Sequence, residues 1–146
     1  MKKNYIIAGL LVVGVGLGYY FTRPDASEIM PVASEINGDP LVLADVKLPV
    51  SLSDNAQLGK RIYEAKCAAC HNANGAGQDG VAPPLIHVIY EPSHHGDESF
   101  QRAVANGVRG HHWPFGNMPP VEGLTRGDVQ MIVTYIRELQ RENGIY

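Results

Sequence analysis

The chain has 146 residues, enough for one small domain and a tail, with 12 Lys and Arg against 15 Asp and Glu for a net charge of −3. Hydrophobic content is ordinary, and neither a basic patch nor interleaved aromatics mark the chain for nucleic acid. Local patterns therefore carry the information.

Residues 1–22 read as a membrane element. Lys2 and Lys3 precede a run from Tyr5 to Phe21 that contains no charge. As a helix it spans about 26 Å at about 1.5 Å per residue, just short of a hydrocarbon core. A cleaved signal peptide is the rival, since secretory apolar regions have similar lengths. No small-x-small site follows closely, and Tyr19-Tyr20-Phe21 suits a membrane interface, so an uncleaved anchor is favoured. The lysines would stay cytoplasmic, which places the rest of the chain outside, in the periplasm if the membrane is a bacterial inner membrane.

Residues 23–52 read as an extended linker. Pro24, Pro31, Pro40 and Pro49 break any long helix, and the acidic residues outnumber Arg23 and Lys47. Its expected job is to hold the C-terminal domain off the bilayer. Leu41-Val42-Leu43 allows an extended strip against that domain.

The domain is expected over residues 53–146. Ser53 or Asp54 can cap a helix whose Leu58, Gly59, Ile62 and Tyr63 share one face. It leads into Cys67-Ala68-Ala69-Cys70-His71. Two thiols at C-x-x-C spacing with histidine directly after are the attachment signature of a c-type haem. Each thiol adds to one vinyl group, and the histidine is held beneath the iron. A thioredoxin-like pair needs a βαβ setting, and Gly- and Pro-rich sequence follows instead. A zinc site lacks its second half. A disulfide here would close only a two-residue loop. A haem also adds a large apolar body to a core that would otherwise be small.

Asp97 to about Gly107 reads as a helix capped by Asp97, with Phe100, Ala103, Val104 and Val108 inward. The pairs His94-His95 and His111-His112 flank it and suggest a separate copper or zinc site. That helix would be about 16 Å long, which is expected to leave the pairs near opposite ends. In the last helix Thr125 and Asp128 form a reciprocal cap. Val129, Ile132, Val133, Ile136 and Leu139 then make an apolar stripe beside Tyr135, and Gly144 comes just past the end.

Together these pieces resemble the class I cytochrome c family. The matching residues are Gly59 to Tyr63, Cys67 to His71, Pro83-Pro84-Leu85, Asn117-Met118-Pro119-Pro120 and Tyr135. The resemblance covers about residues 53–144 and implies an all-α cytochrome c fold around one covalently attached haem c, here preceded by a transmembrane helix. It implies that Gly59 and Tyr63 cross the last helix near Ile132 and Tyr135. It implies that Pro83, twelve residues after His71, accepts a hydrogen bond from the proximal imidazole and orients it. Leu85 would pack on the haem.

The second axial ligand is expected between the helices. Met1, Met30 and Met131 fall in the anchor, the linker and the last helix, while Met118 lies on a proline-stiffened loop. Resemblance and elimination agree on Met118, and a thioether donor raises the potential as an electron carrier needs. Histidine ligation by His87, His94, His95, His111 or His112 remains the competitor. Arg109 and Trp113, flanking the methionine loop, are candidates to bond the propionates.

The sequence has no G-x-S-x-G, no H-E-x-x-H and no phosphate loop, so the expectation is a carrier and not an enzyme. The functional reading is single-electron transfer between a redox donor and acceptor at the outer face of the membrane. A gas or redox sensor with a displaceable methionine, a fixed subunit of an oxidase or dehydrogenase complex, and a metal-handling protein stay open as alternatives.

Overall fold

The structure is a computed structural model that describes residues 41–146. The expected membrane anchor and the linker up to residue 40 lie outside the described residues. Among the described residues no helix is long and apolar enough to cross a membrane.

Four helices make the domain: α1 (Asp54–Lys66), α2 (Ala68–His71), α3 (Asp97–Asn106) and α4 (Arg126–Glu142). Strand is confined to isolated bridges among the described residues. α1 begins at Ser53, whose hydroxyl accepts from Ala56 N–H at 3.3 Å and donates to Glu138 on α4 at 2.6 Å. The cap of one helix is thus tied to the flank of another. α4 starts with the reciprocal cap read from Thr125 and Asp128: Asp128 N–H donates to Thr125 Oγ1 and Thr125 N–H to Asp128 Oδ2. Two otherwise unpaired donors of the first turn are satisfied this way.

The two long helices cross where α1 has no side chain. A Cβ built on Gly59 would lie 1.9 Å from the Met131 carbonyl oxygen and 3.0 Å from Ile132 N, so only glycine allows this approach. One turn on, Tyr63 meets Tyr135 with ring centroids 5.6 Å apart and planes inclined at 57°. Ala56, Tyr63, Ile86, Ile132, Tyr135, Ile136 and Leu139 form the core around this crossing. Each fully buried aliphatic side chain contributes on the order of 1.5–3 kcal/mol against exposure. Leu58, expected on the inner face of α1, is exposed, and Ala56 takes its place. The helix buries the narrow Ala56-Gly59-Tyr63 edge because a close crossing needs small residues on it.

α3 is capped by Gly96 and not by Asp97. Asp97 instead turns its carboxylate to Arg137 on α4, Oδ1 to Nε at 3.0 Å. A charged partner at that distance outweighs a local cap.

Residues 41–52 do not behave as a free spacer. Ala44 N–H donates to Ala76 O at 2.9 Å and Asp79 N–H to Leu41 O at 2.8 Å. Asn143 clamps Lys47 from both sides, accepting from its N–H and donating to its carbonyl, each at 2.9 Å. Val46 and Leu52 pack on the core. This strip is part of the domain's surface.

Candidate functional site

The C-x-x-C-H stretch is formed by the hand-over from α1 to α2. Cys67 N–H still donates to Tyr63 O at 2.8 Å, closing α1. Its own carbonyl then accepts from Cys70 N–H at 3.1 Å and His71 N–H at 2.9 Å. One helical turn therefore brings both thiols and the imidazole to the wall of the same cavity. The loop behind is held by the core tyrosines. Tyr63 Oη donates to Asn72 O at 2.8 Å and Tyr135 Oη to Asn74 Oδ1 at 2.9 Å. Both asparagines sit at positive φ, which lets the chain turn sharply away from the motif.

His71 Nδ1 donates to Pro83 O at 2.9 Å. This fixes the tautomer and leaves Nε2 with a free lone pair. Burial holds the imidazole pKa below its ordinary value, with the Pro83 bond acting in the opposite direction. The ring is thus a neutral donor at physiological pH. Burial pushes the Cys67 thiol up to about 11, the Cys70 thiol adding to the shift. A thiol that stays protonated at neutral pH is a poor match for a redox-active or catalytic cysteine.

The cavity has a volume of about 600 Å3, within the roughly 300–1,000 Å3 typical of cofactor-sized pockets. Leu85, Phe100, Val104, Val108 and Ile132 give it apolar walls, and His71 and Met118 both line it. Met118 is held by a two-bond bridge to Val108. Gly107, at φ 73°, starts the segment that makes this bridge. Trp113 also lines the cavity, and its buried Nε1–H has no hydrogen-bond partner among the described residues. Burial pushes Tyr90 up to about 12, with the neighbouring Trp113 indole acting in the opposite direction. That N–H is available to a polar atom of a group bound in the cavity.

Arg109 is not among the residues lining the cavity. Its side chain is exposed, and its carbonyl accepts from His111 Nδ1. Arg102, on α3 beside the cavity-lining Ala103, is the arginine at the rim. Its position at the edge of that helix's apolar face was the available signal. The histidine pairs also differ from expectation. They do not lie at opposite ends of α3 but together, with His94 and His112 Nε2 atoms 3.4 Å apart. The ten-residue helix advances about 15 Å, and the segment after Gly107 comes back to its start, where His112 meets His94.

A comparison of the sequence with family models matches Cytochrome c over residues 56–140. The chain belongs to the cytochrome c family. The match spans α1, the C-x-x-C-H turn, the cavity-lining loops and most of α4. No curated protein matches this cytochrome. Family membership carries with it haem c, covalently attached, one for a monohaem domain. The residues present fit that group: paired thiols one turn apart, an imidazole with Nε2 free, an unpartnered buried indole N–H and an apolar chamber of sufficient volume. Bound there, haem supplies one-electron redox chemistry.

Proposed function

We propose that this protein is a membrane-tethered monohaem cytochrome c that carries single electrons between redox partners on the periplasmic side of a bacterial inner membrane. Cys67 and Cys70 would hold the haem through their sulfurs, and His71 Nε2 and Met118 Sδ would bind its iron. Leu85 and its apolar neighbours exclude water. Trp113 donates to a propionate.

The observation that carries this reading is the convergence of two donor side chains, His71 and Met118, on the walls of one cavity with Cys67 and Cys70. His71 is oriented through Pro83, and Met118 is held through Val108. An imidazole that does not have to turn suits rapid electron exchange, because little of it reorganises between the two oxidation states. With His71 and Met118 both binding the iron, haem would offer no open position to a substrate, which supports a carrier over an enzyme. The tether rests on the uncharged run from Tyr5 to Phe21 behind Lys2 and Lys3.

Exposure of the reduced, membrane-extracted protein to carbon monoxide tests the carrier assignment. The visible spectrum is expected to stay unchanged, whereas ready binding would assign it as a sensor. Membrane fractionation of the full chain tests the tether: recovery in the soluble periplasmic fraction would remove it.

A further inference from the structure

Four histidines outside the haem-ligating pair converge at one end of the cavity. His94 and His95 precede α3, and His111 and His112 end the segment that returns along it. One ligand nitrogen from each of His94, His95 and His112 lies within 4.8 Å of the other two. All three residues line the rim of the cavity, and His94 and His112 are exposed to solvent. Electron carriage through an iron held by His71 and Met118 gives none of them a task.

We propose that His94, His95 and His112 form a second metal site, for a tetrahedral zinc ion, at the rim of the haem cavity. Two imidazole nitrogens bound to one tetrahedral zinc, each at about 2.0–2.1 Å, stand about 3.3–3.4 Å apart. The His94 and His112 Nε2 atoms stand 3.4 Å apart. A square-planar ion would need adjacent nitrogens at about 2.8–2.9 Å, so the spacing favours zinc geometry over that of cupric copper.

The tautomers are arranged for this use. His95 Nδ1 donates to Ile89 O at 2.6 Å, which leaves Nε2 as the available donor, the usual outer support of a metal-bound histidine. The backbone behind that ring is fixed as well, because Arg137 donates to His95 O at 2.5 Å. His111 Nδ1 donates to Arg109 O, and its ring centroid lies 4.2 Å from that of His112. The positive end of α3 opposes a cation here, but Asp97 and Glu98 in its first turn offset that field. Arg137, the nearest buried cation, is already matched by Asp97.

The test uses the full-length, haem-loaded protein in detergent, freed of adventitious metal by chelator. Titration with zinc alone, followed calorimetrically, is expected to give one equivalent per haem. X-ray absorption at the zinc edge is expected to show at least three imidazoles at about 2.0 Å. Loss of an outer-shell partner costs about 10–100-fold in metal affinity, so His94→Ala and His112→Ala, which remove ligands, are expected to cost at least that much. Both side chains are exposed, so neither change endangers folding. Haem absorption is expected to be the same in wild type and both variants. Zinc that binds without stoichiometry, or equally well to the variants, overturns the proposal. So does a variant whose haem spectrum changes before zinc is added, since that histidine would then serve the iron. Failure of the Met118 assignment alone would change the haem spectrum of Met118→Ala differently from expectation and leave zinc stoichiometry intact.

Discussion

Val108 and Met118 face each other across an antiparallel bridge, Val108 N–H donating to Met118 O at 2.9 Å and Met118 N–H to Val108 O at 3.0 Å. The bridge sets the methionine backbone, and the prolines at 119 and 120 stiffen the next two positions. Met118→Ala removes the thioether while leaving both hydrogen bonds. The far-red absorption of thioether-ligated ferric iron is expected to vanish, and carbon monoxide is expected to bind the reduced protein. The midpoint potential is expected to fall by on the order of 0.2 V, a fraction of the roughly 0.8 V that axial ligation spans. An unchanged far-red band in the purified variant would show that Met118 is not the ligand.

The Gly59 contact is backbone against backbone and cannot be relieved by a rotamer change. Gly59→Ala would place a methyl 1.9 Å from the Met131 carbonyl oxygen. Overpacking a core costs about 1–3 kcal/mol where side chains give way, and this site belongs at or above the top of that range. Guanidinium unfolding of the haem-loaded variant is expected to show a lower midpoint with an unchanged slope. A midpoint equal to wild type would mean that the helices separate at little cost.

Much of this was legible in the chain because the signals are local. The reciprocal cap of Thr125 and Asp128, the α4 stripe and the C-x-x-C-H turn each depend on residues within a few positions of one another. Gly59 was legible as a crossing point because a glycine inside a helix calls for a reason. Pairings across the fold could not be read. The Asp97 side chain leaves its cap for Arg137, 40 residues away. The histidine pairs meet only because the chain after Gly107 runs back along α3, a direction that helical periodicity does not encode. Arg102 replaces Arg109 at the cavity because helix phase, and not nearness to Met118 in sequence, decides which arginine reaches it. The strip 41–52 is held by Asn143, whose partner Lys47 lies 96 positions away.

Two exposed carboxylates, Glu98 on α3 and Asp128 on α4, are expected to make the domain's stability depend on acid pH. The Arg126 guanidinium holds Glu98 below its ordinary 4.5, and hydrogen bonds from Thr125 hold Asp128 below its ordinary 3.8. Each is therefore more acidic folded than unfolded, and its contribution is complete above those ordinary values. It is lost as pH falls through them, because the unfolded chain takes up protons first. The thermal midpoint is expected to decline between about pH 5 and pH 3. Glu98→Gln combined with Asp128→Asn is expected to lower the midpoint at pH 7 and flatten that decline. An equally steep decline in the double variant would place the acid sensitivity elsewhere.

Arg137 is 8 % exposed and serves four acceptors: Asp97, Tyr90 O, Gln140 Oε1 and His95 O. The two halves of its ion pair are not equivalent. Asp97→Asn leaves the guanidinium with three neutral acceptors, and the carboxylate it removes is more than half exposed. Arg137→Met fills the space but leaves His95 O and Gln140 Oε1 without that donor, while Gln140 Nε2 still reaches Tyr90 O at 3.0 Å. Unsatisfied buried acceptors cost about 1–3 kcal/mol each. Arg137→Met is therefore expected to destabilise by about 2–4 kcal/mol and Asp97→Asn by about 1 kcal/mol. Paired denaturant titrations decide it, and equal losses would mean that the ion pair dominates the site.

Trp113 offers the cleanest separation of a cofactor contact from a folding contact. Its ring packs edge-on to His87 at 5.2 Å and stacks on Phe115 at 5.7 Å, contacts that phenylalanine can largely retain. Its Nε1–H has no protein acceptor to lose among the described residues. Trp113→Phe should thus leave the stability of the polypeptide close to wild type, within about 1 kcal/mol. If the indole donates to a propionate, the variant leaves that carboxylate's negative charge less compensated near the iron. A less compensated charge stabilises ferric over ferrous haem, so the midpoint potential is expected to fall by on the order of 0.05 V, about 1 kcal/mol for one electron. Redox titration as a function of pH adds a second reading: the propionate, deprived of a donor, is expected to titrate at higher pH. A variant with unaltered potential and pH dependence would place the Trp113 N–H away from the propionates.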